Sequence, residues 1–125
     1  MPLADLQANQ IATINMNCQM DLQQLVAAYP MLEISTWPQQ YREAQALQLS
    51  TTAATPMLDS IAAASGTTAV ALAAAVSNNA AAYQSASGAL IGKRQALTAK
   101  IEAITDPNPA NPSAATIAAI TAIVW

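Results

Sequence analysis

The sequence contains no histidine and no phenylalanine, and it has a single cysteine, Cys18. Without histidine, the commonest general base and the usual zinc ligand are both missing. One cysteine cannot form an intramolecular disulfide, and no cysteine pair offers metal-ligand spacing. The carboxylates stand singly along the chain. We therefore expect a protein that is not an enzyme and that needs no cofactor or metal, with Cys18 a small buried hydrophobic residue.

Charge and long apolar runs are also scarce. Four basic residues against seven acidic ones give a net charge of −3, and phosphate binding requires a larger basic surface. Polar residues interrupt every alanine-rich stretch before it reaches the length of a membrane span, and the N-terminus lacks the pattern of a signal peptide. We expect neither a nucleic-acid nor a membrane partner, and a protein that stays in a cytoplasm.

Apolar residues recur at helical spacing in several segments, which proline and glycine separate. Helices are predicted over residues 3–28, 37–49, 56–64 and 67–104, and Ser113 is predicted to cap a last apolar segment. The fourth helix has apolar residues seven apart from Val76 to Ile104, a heptad pattern. No segment alternates with the period of a strand. The sequence predicts an all-α fold, a small elongated helical bundle with one long heptad-patterned helix and a detached C-terminal helix.

The chain length fits one domain with further segments at its C-terminal end. Residues 1–105 are predicted to form the helical bundle module, 106–112 a flexible Pro/Asn linker and 113–125 a C-terminal apolar helical segment. Alone, that last segment would be an exposed apolar patch. It should dock on its own bundle, on a second copy or on a client. With aromatic residues at only 4%, small side chains should dominate the core and leave little room for a ligand cavity.

Several residues are predicted to hold the bundle together. Thr36 with Gln39 fits a capping box at the start of the second helix, and Trp37 beside it reads as a core anchor. Arg94 falls at the edge of the apolar stripe of the long helix, where a guanidinium needs a partner, and Glu43 and Asp59 are the candidates. Thr67 is the predicted cap of the long helix. The set with a predicted structural role is Trp37, Thr36, Glu43 and Asp59.

Other residues are candidates for contact with a partner. Asn79 faces the same stripe, where a polar residue can fix the register of packed helices. Arg94 remains open between a structural bridge and a partner contact. The candidate partner-binding residues, on the long helix and in the C-terminal segment, are Asn79, Tyr83, Leu90, Arg94, Leu97, Ile117, Ile120, Val124 and Trp125.

Three segments in order resemble a helical module of tailed-bacteriophage tail-fibre assembly proteins. The first is "WPQQYREA", with Trp37, Gln40, Glu43 and Ala44 in a Trp-x-x-Gln-x-x-Glu-Ala pattern. The second is "TPMLDSIAAASG", with matches at Thr55, Pro56 and Leu58. The third is "NNAAAYQSASGALIGKRQAL", and its matching residues are Asn79, Tyr83, Ser87, Gly88, Gly92, Arg94, Gln95 and Leu97.

The resemblance implies a small chaperone that binds a trimeric phage tail-fibre protein and assists its folding, trimerisation or attachment. Such a protein works in the host cytoplasm during assembly and is in some cases retained on the virion tail fibre. The alternative is a structural virion component, a cap or adaptor that stays in the particle. The alanine-rich helices alone also suit a surface-coating amphipathic bundle. Each of these readings leaves open whether the protein forms a homo-oligomer.

Overall fold

The computed structural model describes residues 1–125 and contains six helices and no strand. In chain order they are α1 (Leu3–Val26), α2 (Met31–Ile34), α3 (Trp37–Leu49), α4 (Pro56–Ser65), α5 (Ala69–Glu102) and α6 (Ala114–Thr121). The predicted all-α fold is confirmed, with one long helix, α5, and a separate C-terminal helix, α6. The single turn α2 is the only helix that the sequence did not predict.

The helix boundaries follow from local chemistry, although two predicted caps are wrong. The Thr36 hydroxyl donates to the carbonyl of Glu33 at 2.7 Å and leaves the N-terminus of α3 without a side-chain cap. Gln39, its predicted partner, instead donates to Glu43 at 2.7 Å. At the start of α5, the cap is Thr68, whose hydroxyl accepts from the backbone N–H of Ala71 at 3.1 Å.

Thr67 cannot cap α5 because it belongs to the end of α4. Gly66 takes the left-handed conformation there, with φ 77°, and the N–H of Thr67 donates to the carbonyl of Ala62 at 3.0 Å. This arrangement is the usual glycine stop of a helix. The Ser113 cap of α6 is confirmed, since its hydroxyl accepts from the N–H of Thr116 at 3.2 Å.

The chain forms two compact units. The first unit comprises Met1–Leu25 and Ser87–Trp125, and the second unit comprises Val26–Ala86. The N-terminal helix α1 and the C-terminal segment with α6 therefore belong to the same unit. Each unit has its own hydrophobic core.

The core of the first unit joins its N-terminal and C-terminal segments. Leu3, Ile14, Ile101 and Ile120 are buried together, with Ile120 only 1% exposed. Burying an aliphatic side chain of this size stabilises a fold by about 1.5–3 kcal/mol. The C-terminal segment thus docks on its own chain, the first of the three options left open by the sequence.

Residues 106–112, predicted to form a flexible linker, make several hydrogen bonds within the first unit. The carboxylate of Asp106 accepts the backbone N–H groups of Asn108 at 2.8 Å and Ser113 at 3.0 Å, and the hydroxyls of Ser113 and Thr116. The carbonyl of Pro109 accepts the N–H of Leu3 at 2.7 Å. The hydrogen bond from the Thr116 hydroxyl, followed by those from the backbone N–H groups, lowers the pKa of Asp106 to about 2.

In the second unit, helices α3, α4 and the beginning of α5 pack around a small core. Its buried members are Ala44, Leu47, Leu58 and Ala73. Two of these four are alanines, so this core fills little volume. Much of the apolar surface of the unit therefore stays at least partly exposed, including Tyr29 at 48%.

Candidate functional site: an aromatic-lined cleft

An open cleft of about 870 Å³ lies in the second unit. Its walls come from the segment around α2, from α3, from α4 and from the first half of α5. Most of its lining residues are aromatic or aliphatic, and the main ones are Tyr29, Ile34, Trp37, Tyr41, Met57, Ile61, Leu72, Val76 and Tyr83. The expectation that an alanine-rich core leaves little room for a cavity is wrong for this unit. Ala75 and Ala80 present only methyl groups toward the cleft and do not fill it.

Helical spacing explains why these side chains share one space. Trp37 and Tyr41 are four residues apart on α3 and therefore lie on one face. Leu72, Val76 and Tyr83 follow the same rule along α5 and belong to its predicted heptad stripe. The first half of that stripe lines the cleft.

Trp37 is the centre of an aromatic cluster. Its ring centroid lies 5.1 Å from that of Tyr29, with 82° between the ring planes. The centroid of Tyr83 lies 5.7 Å away, at 78°. Edge-to-face pairs of this kind contribute about 0.5–1.5 kcal/mol each beyond area burial. Trp37 therefore packs against both Tyr29 and Tyr83 and also forms part of the cleft wall.

The polar groups of the cleft carry little charge. Glu33 is the only carboxylate among the lining residues, and none of the four lysine and arginine residues lines the cleft. The other polar side chains are neutral, and Gln40 is held by a 2.9 Å hydrogen bond from its amide to the hydroxyl of Thr36. The remaining polar lining residues are Asn79 and Gln84.

A buried carboxylate on α3 fixes the position of α4, and thus one wall of the cleft. Glu43 is only 5% exposed. Its Oε1 atom accepts the backbone N–H groups of Met57 at 2.9 Å and Leu58 at 3.1 Å, in the first turn of α4. Those groups have no partner within their own helix. Glu43 is therefore an N-terminal cap supplied by a neighbouring helix, which the sequence analysis missed because the usual cap is local.

Glu43 and Asp59 were predicted partners of Arg94, and both have other partners. Glu43 caps α4, and the carboxylate of Asp59 accepts the hydroxyl of Thr55 at 2.9 Å. Glu43 thus ties α3 to α4, whereas the hydrogen bond of Asp59 is local to the start of its own helix. Arg94 lies half-buried on the part of α5 that belongs to the first unit.

The nine candidate partner-binding residues fall in both units. Asn79 and Tyr83 line the cleft of the second unit. In the first unit, Ile120 is buried in the core and Leu97 packs against it, so neither offers much surface to a partner. Ile117 and Val124 are exposed, at 38% and 63%. Leu90 and Arg94 are half-buried.

Trp125 is engaged inside the first unit. Its indole N–H donates to the carboxylate of Asp21 at 2.6 Å. The ammonium group of Lys93 lies 4.1 Å from the centroid of its ring, a cation–π contact. A client would have to displace these contacts to use the indole ring.

Neither a metal centre nor a single membrane-spanning helix is evident. No group of three or more potential ligand side chains is arranged to hold a metal ion. No single helix has the length and hydropathy to cross a membrane, and only α4 and α5 taken together, 105° apart, meet that test.

The chain is thus an all-α protein of two helical units, one of which carries an aromatic-lined cleft. Residues 78–125 match the model of a family described as the HI1402 helical domain. The match spans the later part of α5 and α6, less than half of the chain. No curated protein and no solved structure gives a significant match to the sequence.

Proposed function

We propose that this protein is an assembly chaperone for a trimeric phage tail fibre, and that its cleft holds apolar side chains of the unfinished fibre. The cleft is the observation that carries the proposal. A space of about 870 Å³ lined by three tyrosines, a tryptophan and several aliphatic residues is an apolar surface without an occupant in this chain. Contiguous exposed apolar surface of this kind marks interaction sites.

The resemblance to tail-fibre assembly proteins points to the same residues as the cleft does. Four of the positions that carry it, Trp37, Gln40, Asn79 and Tyr83, line the cleft. Tyrosine and tryptophan are also the side chains that most often dominate the free energy of protein–protein binding. These two arguments are independent, because one rests on sequence pattern and the other on geometry.

The size of the cleft restricts what it holds. Its volume falls within the range of about 300–1,000 Å³ that is typical of small-ligand pockets. It accommodates a few side chains of a short segment and not the surface of a folded domain. Such a site suits a chaperone, because short apolar segments are accessible before a fibre trimerises and are buried afterwards.

Co-expression with the fibre protein tests this function. We expect this protein to raise the yield of soluble, trimeric fibre and to co-purify with it before trimerisation. The variant Tyr83→Ser removes a ring of the cleft wall that is 39% exposed. Its loss should weaken binding about tenfold, which corresponds to 1.4 kcal/mol. An equal yield of trimer with and without this protein would refute the proposal.

A matched control tests whether the effect of Tyr83→Ser is specific to the cleft. Ile91 is 40% exposed on the same helix, but it belongs to the first unit. The variant Ile91→Ser should leave fibre yield unchanged. Quantification of this protein in purified particles separates the two roles: sub-stoichiometric amounts fit a released chaperone, and a fixed stoichiometry fits a subunit that stays in the virion.

A further inference from the structure

We infer that the cleft selects a client segment with a lysine or arginine side chain among apolar residues, and that this cation packs against the aromatic cluster and faces Glu33. The inference rests on the proposed function in that it specifies the chemistry of the client. It concerns the second unit alone. Three observations carry it.

The first is the arrangement of the rings. The planes of Tyr29 and Tyr83 stand at 82° and 78° to that of Trp37. Aromatic faces carry negative partial charge and attract cations, most strongly for tryptophan. Tyr29 and Tyr83 are 48% and 39% exposed, so parts of these rings remain accessible to a ligand.

The second is the sign of the charge. Glu33 is the only charged residue that lines the cleft, and its side chain is exposed. No lysine or arginine lines the cleft. Arg42, the only basic residue of the second unit, donates to Gln39 at 2.6 Å and does not line the cleft. A client cation therefore meets one carboxylate and no competing cation. An anionic client would be repelled by the same carboxylate.

The third is that this chain already contains such a contact. In the first unit, Lys93 lies over the ring of Trp125 at 4.1 Å. Trp125 is thus occupied by a cation from its own chain, whereas none of the lysine and arginine residues lines the cleft at Trp37.

Three blocked peptides of one scaffold test the inference: Ac-Leu-Lys-Leu-NH₂, Ac-Leu-norleucine-Leu-NH₂ and Ac-Leu-Glu-Leu-NH₂. They are titrated into the full chain while two-dimensional ¹⁵N NMR follows the indole N–H signals. The protein has two tryptophans, so the Trp37 signal reports the cleft and the Trp125 signal is an internal control. We expect the lysine peptide to shift the Trp37 signal and to bind about fivefold tighter than the norleucine peptide, as a cation–π contact predicts. The glutamate peptide should bind weakest.

Two variants test whether the carboxylate of Glu33 causes the preference for the lysine peptide. Glu33→Gln keeps the shape of an exposed side chain and should reduce the preference for lysine over norleucine by half or more. Glu102→Gln alters an exposed carboxylate of the first unit and should leave the preference unchanged. Norleucine binding as tightly as lysine would overturn the inference, and the apolar cleft of the proposed function would stand. If no peptide shifts the Trp37 signal, the inference is also overturned, and the fibre co-expression assay decides the proposed function separately.

Discussion

Replacement of Glu43 by alanine should strongly destabilise the second unit. The variant removes the acceptor of two backbone N–H groups in α4, and the N–H of Leu58 lies in a buried contact. Each buried donor left without a partner costs about 1–3 kcal/mol. The loss also removes a negative charge from the N-terminus of a helix, where it is favourable. Because water reaches the partly buried N–H of Met57, we expect a total loss of about 3 kcal/mol.

Thermal and urea unfolding followed by circular dichroism measure this loss. For a unit of roughly 60 residues, about 4–8 °C of melting temperature corresponds to 1 kcal/mol, so Glu43→Ala should lower the midpoint by about 12–24 °C. Glu43→Gln keeps an acceptor oxygen but loses the charge. Because a charge-assisted hydrogen bond is about twice as strong as a neutral one, it should cost about half as much. Glu102→Ala, an exposed control in the first unit, should change stability by less than about 0.5 kcal/mol.

Amide hydrogen exchange gives a local readout of the same prediction. The N–H groups of Met57 and Leu58 should exchange much faster in Glu43→Ala, because their acceptor is gone. A variant within about 1 kcal/mol of the wild type, or unchanged exchange at these two amides, would refute the claim that Glu43 caps α4.

The remaining predictions concern the glycines and Asp106. Gly88→Ala and Gly92→Ala should each stabilise the protein by about 0.5–1 kcal/mol in urea unfolding, because both lie inside α5 and an added Cβ meets nothing within 4 Å. Gly66→Ala should destabilise it by about 1–2 kcal/mol, since φ is 77° at that position. The pKa of Asp106 falls from 3.8 to about 2 in the folded state. Its contribution to stability is therefore complete above pH 4 and is lost as the pH falls through 2. Unfolding curves at pH 4 and pH 2 should show this loss in the wild type and a smaller loss in Asp106→Asn.

The sequence predicted the helices well because proline and glycine mark their ends. Pro56 begins α4, Gly66 ends it, and Ser113 caps α6 in the predicted way. The capping box at Thr36 failed because its hydroxyl bonds back to Glu33, in the short turn α2, which has too few residues to show a helical period. Local patterns are informative only where the partners are local.

The tertiary roles were harder to predict. A glutamate in a helix usually reads as surface charge, and nothing in the sequence places Glu43 beside residues 57 and 58. The cleft depends on how α3, α4 and α5 are spaced, which composition does not define. One signal was available for Asp106: Asp followed by Pro-Asn-Pro is typical of a turn in which the carboxylate binds backbone N–H groups. That pattern indicates an ordered connection where composition alone suggested a flexible linker.

The small core of the second unit and its cleft have a common cause. Its buried side chains are few and two of them are alanines, so aromatic residues that would normally fill a core remain partly exposed around the cleft. Each large side chain left uncovered forgoes a part of the roughly 1.5–3 kcal/mol that full burial would contribute. In the proposed function, a client that covers Tyr29, Trp37 and Tyr83 recovers that free energy as binding. In that proposal, the second unit offers to a partner the interaction that it lacks in its own fold, and the buried cap at Glu43 holds α4 in position before the client binds.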